Sequence, residues 1–306
     1  MARRAANHRQ RGMASSPPVF RFAPSPNGRL HLGHAYSALV NERLAARLRG
    51  KLLLRIEDID LTRCRPEFEQ AIHDDLAWLG ISFAPQVRRQ SLHFPDYRQA
   101  LGQLEEMGLI YHCFCSRQEV KDAVRRCEAE AGTPWPRDPD GAPLYPGTCR
   151  ALGEAELRRR REAGEPHVLR LAMDRALARV AGETLSYRLF DEAGEERDIR
   201  VDPARWGDVV LARKDVPTSY HLSVVVDDAL QNVSHVVRGK DLEAATDIHV
   251  LLQRLLGLAV PRYHFHRLLS DETGQKLAKS RLSRSLADLR ADGATPEAIR
   301  RQLGFT

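Results

Sequence analysis

The chain has 306 residues, 42% of them hydrophobic and 29% charged, with a net charge of +6, which describes a folded soluble protein of two or three packed units and excludes a low-complexity or fibrous one. Arg3, Arg4, Arg9 and Arg11 supply much of that charge before any acid appears, so a nucleic-acid surface would have to come from local clustering of bases rather than from the overall balance. No apolar run approaches the ~18 residues of a membrane span, no secretory leader is visible, and five cysteines, an odd number, point to reduced thiols or metal ligands in the cytoplasm.

Residues 1–18 are rich in Arg, Ala and Ser and close on Pro17-Pro18; a mitochondrial presequence can have that composition, but they read as a disordered leader or as sequence ahead of a start at Met13. Residues 19–22 form a short β-prone run that ends in a Pro/Ser/Asn/Gly turn. Helical periodicity follows, with Ala35, Ala38, Leu39, Ala45 and Ala46 on one stripe and Gly50 as the expected stop. Residues 51–56 are an apolar strand with little alternation, as in a parallel sheet covered on both faces. Strand, turn, helix and strand make a βαβ unit, whose ligands bind at the carboxyl ends of the strands. Residues 67–79 and 97–107 read as amphipathic helices.

From about residue 110 the texture changes. Cysteines appear, residues 133–146 are a proline-rich loop, residues 154–163 a charged helix, and residues 167–173 and 208–213 strands. Residues 221–226 and 232–238 read as apolar strands, and residues 248–256 as an apolar helix. The expected organisation is an α/β Rossmann-type first half over residues 19–109, an α+β insertion over 110–217, a second half over 218–265, and a loop with a short helical C-terminus over 266–306.

Two segments carry nucleotide chemistry. Pro24-Ser25-Pro26-Asn27-Gly28 bends the chain ahead of His31-Leu32-Gly33-His34, and Gly33 admits a ligand close to the backbone. The helix that follows offers N–H groups and a positive dipole end to phosphate. His31 and His34 can donate to phosphate oxygens as charge builds in a transition state. Far along the chain, Lys276 and Lys279 stand at the same spacing in Lys276-Leu277-Ala278-Lys279-Ser280. Displacement at a phosphate needs positioning and charge neutralisation more than covalent help, and these four side chains with Mg²⁺ would supply both.

In this order the motifs resemble the glutamyl branch of the class I aminoacyl-tRNA synthetases. His31-Leu32-Gly33-His34 stands for the "HIGH" element and Lys276-Leu277-Ala278-Lys279-Ser280 for "KMSKS". The resemblance continues through Arg55-Ile56-Glu57-Asp58-Ile59-Asp60, Pro217-Thr218-Ser219-Tyr220-His221, Val226-Asp227-Asp228 and Val237-Arg238-Gly239-Lys240-Asp241. It implies a parallel sheet split by a zinc-containing insertion, with His31, His34, Lys276 and Lys279 catalytic and His31, Gly33, His34 and Lys279 on ATP. For L-glutamate it implies Arg21 on the side-chain carboxylate, a guanidinium being able to bind it bidentately. Glu57 would take the ammonium, and Tyr220, Arg238 and the segment Arg21, Phe22, Ala23, Pro24 and Ser25 would complete the pocket. Asp227 and Asp228 could hold ribose, orient a neighbour or be structural.

Cys113-Phe114-Cys115 with Tyr145-Pro146-Gly147-Thr148-Cys149 leaves zinc and buried free thiols equally open from spacing alone, with Tyr145 or His112 as a fourth ligand. The resemblance implies a closed, structural Zn²⁺ site on Cys113, Cys115, Tyr145 and Cys149. Cys64 and Cys127 fall outside it. Residues 281–306 suffice for one or two helices and not for an anticodon-binding domain. That brings the chain near the short synthetases that activate glutamate with ATP without tRNA and transfer it to queuosine in tRNA(Asp), as does Val224 ahead of Val225-Val226-Asp227-Asp228. The insertion would then grip an anticodon arm, with Arg158 to Arg161, Arg125 and Arg126 as phosphate contacts or else a solvated helix face. The rival expectations are a synthetase charging tRNA(Glu) and an inactive RNA-binding paralogue. A monomer with no membrane partner is expected in every case.

Overall fold

The computed structural model describes residues 16–269 and 284–305. Lys276 and Lys279, like the head of the chain, lie outside the described residues. The elements in order are β1 (Val19–Phe22), α1 (Leu32–Arg47), β2 (Lys51–Ile56), α2 (Pro66–Trp78), β3 (Arg88–Arg89), α3 (Phe94–Glu106), β4 (Ile110–Cys113), α4 (Arg117–Ala131), α5 (Glu154–Glu162), β5 (Val168–Leu171), α6 (Met173–Arg179), β6 (Ser186–Phe190), β7 (Glu196–Arg200), β8 (Val210–Ala212), α7 (Tyr220–Leu230), β9 (His235–Gly239), α8 (Thr246–Leu255), β10 (Arg262–His266), α9 (Leu286–Ala291) and α10 (Pro296–Gln302).

A seven-stranded sheet runs β3-β2-β1-β9-β10-β6-β7. It is parallel except where β7 pairs antiparallel with β6. The chain leaves β1 toward β2 on one side and returns to β9 on the other. This reversal opens a crevice at the carboxyl ends of β1 and β9, where open parallel sheets bind ligands. Phe20, Leu39, Leu54, Ile56 and Val237, all buried, pack α1 and α2 onto one face, and α3, α7 and α8 bury Tyr97, Leu222, Val225, Ile248 and Leu251 on the other side.

The middle of the chain divides differently from the sequence expectation. Strands β4, β5 and β8 form a separate three-stranded antiparallel sheet. Strands β6 and β7, inside the expected insertion, extend the main sheet instead: Tyr263 of β10 pairs with Leu189 of β6. In Ser186-Tyr187-Arg188-Leu189-Phe190 the buried Tyr187 and Phe190 stand three residues apart and so face opposite sides of the sheet, as in a strand covered on both faces, and β7 forms the edge.

Two local expectations are corrected. Residues 221–226 lie in helix α7, not in a strand. An apolar run buried on every side carries no period that separates the two forms, and residues 222–228 are all buried. Gly50 is not the positive-φ stop of α1. Arg49 takes that conformation at φ 52°, and the closing bonds are Arg49 N to Ala46 O at 3.1 Å and Gly50 N to Ala45 O at 2.8 Å, a Schellman arrangement. Gly50 is needed because a Cβ there would lie 2.6 Å from the Pro18 carbonyl. Among the described residues no helix is long and apolar enough to cross a membrane.

Candidate active site

The crevice is a cavity of ≈ 440 Å³. It is lined by Arg21, Phe22, Ala23, Pro24 and Ser25 from the end of β1, by His31, Gly33 and His34 at the start of α1, and by Glu57, Tyr220, Val224, Arg238 and Asp241. Every expected glutamate-site residue and both histidines therefore share one space.

The start of α1 fixes the imidazoles. His31 is its N-cap, and its Nδ1 accepts from Gly33 N at 3.0 Å, while His34 Nδ1 accepts from His31 N at 3.2 Å. Because both Nδ1 atoms accept from backbone N–H, the ring protons sit on Nε2, which makes each Nε2 a donor. The rings lie 3.9 Å apart between centroids. The segment leading to the lysine pair ends beside this turn and the segment after it begins there: Leu268 and Leu269 line the cavity, Ser285 bridges to His31, and Leu286 N donates to Leu30 O at 2.8 Å.

The end of the cavity that holds Arg21 and Glu57 is a buried charge network. Arg21 donates through Nε to Asp228 Oδ1 at 3.1 Å and through an Nη to the Val237 carbonyl at 3.4 Å. Asp228 also accepts from Arg55 at 2.7 Å, and Arg55 reaches Glu57 at 3.2 Å and Gln231 at 3.1 Å. Arg55 has no exposed surface. Burial works against the charge of Arg55, but Asp228, Glu57 and Asp227 together outweigh it and hold the guanidinium protonated. Burial likewise opposes the charge of Asp228, yet Arg21 and Arg55 keep its carboxyl below the usual range. At Glu57 burial wins over Arg55 and Arg21 and pushes the carboxyl up, so it gains most from a cation arriving in the cavity. Burial also pushes the Tyr220 phenol up, leaving it a neutral hydrogen-bonding group.

Arg238 is set by Thr246 Oγ1 at 2.7 Å, His249 Nδ1 at 3.1 Å and the Tyr220 hydroxyl at 3.4 Å. The two aspartates separate in role. Asp228 orients Arg21, whereas Asp227 is buried under Tyr97 at 2.9 Å, Gln90 at 2.8 Å and Arg88 at 2.6 Å, with no place for ribose. Sequence reasoning missed Arg55, Thr246 and His249 as supports. For Arg55 the signal was present, since a charged residue inside an apolar strand must find buried partners.

The sulfur atoms of Cys113, Cys115 and Cys149 lie within 4.8 Å of one another. The Tyr145 hydroxyl is 3.5 Å from Cys115 Sγ and accepts from Cys149 N at 2.8 Å. His112 points to the opposite face of β4, as alternation requires, and its ring packs on His167 at 4.7 Å. Tyr145, not His112, therefore joins the thiols. Cys115 and Cys149 approach to 3.4 Å, too far for a disulfide, and burial pushes the Cys115 thiol up to about 11. Three sulfurs and a phenol oxygen around one point fit a tetrahedral metal, which would draw off those protons. In the arginine run, Arg158 pairs with Glu154 at 3.0 Å, and Arg159 and Arg160 pair with Glu156 at 2.7 and 2.8 Å. That is the arrangement of a self-neutralised helix face.

Residues 19–306 match the family model for the catalytic domain of class I tRNA synthetases for E and Q. The chain belongs to that family, and it is an enzyme, a ligase of the aminoacyl-tRNA synthetase type. It is 48% identical over 289 residues to a glutamyl-Q tRNA(Asp) synthetase of Rhodobacter capsulatus, covering 94% of this chain and 100% of that one. It is 39% identical to a glutamyl-Q tRNA(Asp) synthetase of Symbiobacterium thermophilum, over 93% and 85% of the two chains. Among solved structures, the glutamate-tRNA synthetase of Elizabethkingia anophelis matches with a TM-score of 0.73 and 25% identity; the match covers 94% of this chain and 61% of that longer one.

Proposed function

We propose that the chain activates L-glutamate with ATP and Mg²⁺ to glutamyl-adenylate without needing tRNA, and transfers the glutamate to the queuosine base in the anticodon loop of tRNA(Asp). The observation that carries this reading is the juxtaposition, in one cavity, of the Arg21 and Arg238 guanidiniums and the Glu57 carboxylate with the Nε2 donors of His31 and His34. Arg21 binds the side-chain carboxylate, Glu57 receives the ammonium, and Arg238 with Tyr220 closes the pocket. The backbone of residues 21–25 packs along the substrate. His31 and His34 donate to the phosphates, joined by Lys276 and Lys279, as oxygen of the α-carboxylate attacks the α-phosphorus and pyrophosphate leaves. Positioning and charge neutralisation account for the acceleration. The acceptor is supported by similarity to relatives named for tRNA(Asp) over nearly the full length of this chain. Cys113, Cys115, Tyr145 and Cys149 would hold a structural Zn²⁺ in the insertion, which presents its surface to the anticodon arm. The Zn²⁺, when bound, ties the loop carrying Tyr145 and Cys149 to the end of β4.

The test supplies radiolabelled glutamate and ATP with tRNA(Asp) bearing or lacking queuosine, and with tRNA(Glu). Label on queuosine-containing tRNA(Asp) alone is expected, with glutamate-dependent ATP–pyrophosphate exchange in the absence of RNA. Label only on tRNA(Glu) would overturn the acceptor assignment. Arg21→Ala is expected to abolish exchange while ATP binding survives; unchanged exchange would remove Arg21 from the pocket.

A further inference from the structure

Arg238 is one of the guanidiniums that line the cavity, and its orientation depends in part on groups outside the cavity. All nitrogens of a guanidinium are donors. The His249 Nδ1 at 3.1 Å from Arg238 is therefore an acceptor, and the ring proton sits on Nε2. That Nε2 lies 3.3 Å from Nδ1 of His221, which then accepts in turn. Arg238, His249 and His221 thus form a directed chain of hydrogen bonds with only one consistent proton placement. His249 is buried, and does not line the cavity. Its ring packs against Tyr220 at 5.6 Å, and His221 packs edge-on against Trp206 at 5.7 Å. The far end of the chain is therefore held by an indole inside the core.

We infer that His249 is a positioning residue for the amino-acid site, its Nε2-protonated tautomer holding the Arg238 guanidinium in the plane in which it meets the substrate. Arg238 touches the substrate; His249 acts only through it. Burial and the Arg238 charge keep the His249 ring neutral, which this arrangement requires, since an imidazolium would face a guanidinium. Thr246 Oγ1 fixes the second Nη at 2.7 Å, and on the first Nη His249 at 3.1 Å is the closer acceptor, with the Tyr220 hydroxyl at 3.4 Å, so His249 and Thr246 together set the plane.

This inference rests on the glutamate reading of the cavity. The test compares His249→Asn, whose amide oxygen falls near the Nδ1 position, with His249→Gln, whose amide falls near Nε2, and with His249→Leu. Michaelis constants for glutamate and ATP are read by ATP–pyrophosphate exchange. Leu and Gln are expected to raise the glutamate constant about tenfold or more, the scale of one lost bond to a charged group, with the ATP constant within about twofold. Asn is expected to restore the glutamate constant to within about threefold of the wild type. Equal values for Asn and Gln, or parallel movement of both substrate constants, would overturn the role. If Leu fails to fold, the Asn and Gln pair still decides. A wild type without glutamate-dependent exchange would defeat the glutamate reading instead. In that case the nitrogen-15 imidazole spectrum tests the support directly, with a proton on Nδ1 of His249 overturning it.

Discussion

Arg55→Met keeps the apolar stem of Arg55 and removes its charge from the centre of the site. The guanidinium contacts Asp228 at 2.7 Å, Gln231 at 3.1 Å and Glu57 at 3.2 Å, with no exposed surface. Its three carboxylate neighbours do not lose equally. Asp228 keeps Arg21 at 3.1 Å, and Asp227 keeps Arg88, Gln90 and Tyr97. Glu57 loses its cationic hydrogen-bond donor within the protein. The Glu57 side chain is 14% exposed where it lines the cavity, so the about 3–5 kcal/mol of an uncompensated buried charge is an upper bound, and protonation of Glu57, already pushed up by burial, limits the cost further. The expected loss is therefore at most about 3–5 kcal/mol and not the sum over all the bonds.

Equilibrium urea unfolding near neutral pH reads that loss. Adding Glu57→Gln neutralises the orphaned group and is expected to recover about 1–3 kcal/mol, the usual coupling of residues in contact. Glutamate-dependent exchange should remain lost in the double variant, because nothing is left to take the ammonium. A loss under about 1 kcal/mol for Arg55→Met, or no recovery in the double variant, would refute the assignment of Arg55 as the counter-charge of this network.

Gly33→Ala would put a Cβ 2.8 Å from His31 Cε1; the displaced imidazole is expected to cost roughly 10²-fold in exchange rate, with unfolding midpoint little changed, and a full rate would refute it. Cys149→Ala should lower zinc, measured by elemental analysis, from about one equivalent to well below half, whereas an unchanged content would exclude Cys149 from the site. Asp75 is fully buried, neither carboxylate oxygen has a hydrogen-bond partner, Arg290 stands 3.7 Å away, and burial pushes its pKa up to about 6. The folded state thus keeps a proton that the unfolded chain loses near its ordinary value of 3.8, so stability falls as pH rises through about 4 to 6. Asp75→Asn should raise unfolding stability at about pH 7.5 by up to about 3 kcal/mol and change it little below about pH 4; destabilisation at the higher pH would contradict this.

How far the sequence reached depends on the range over which each feature is encoded. Strand β1, the turn, α1 and β2 were legible because hydrophobic runs, Pro/Gly punctuation and the spacing of His31 and His34 act within a few residues. Arg21, Glu57 and Arg238 were legible through their motifs, and the sheet brings them together because each sits at the carboxyl end of a strand flanking the reversal at β1. Helix α7 was not, since Leu222, Val224, Val225 and Val226 are covered on all sides and a fully buried helix loses the amphipathic period that announces one. The supports of the site were hidden for a different reason. Arg55 finds Asp228 across 173 positions, and Asp228 stands in a marked motif with its role left open, whereas His249, only eleven positions on from Arg238, is unmarked, because a buried His looks locally like any other polar residue in an apolar helix. The residues that line the cavity must project into a common crevice and so fall in recognisable motifs, whereas those that aim them are set only by the fold, and only coordinates reveal that Arg21 and Arg238 are each held from behind by a separate network.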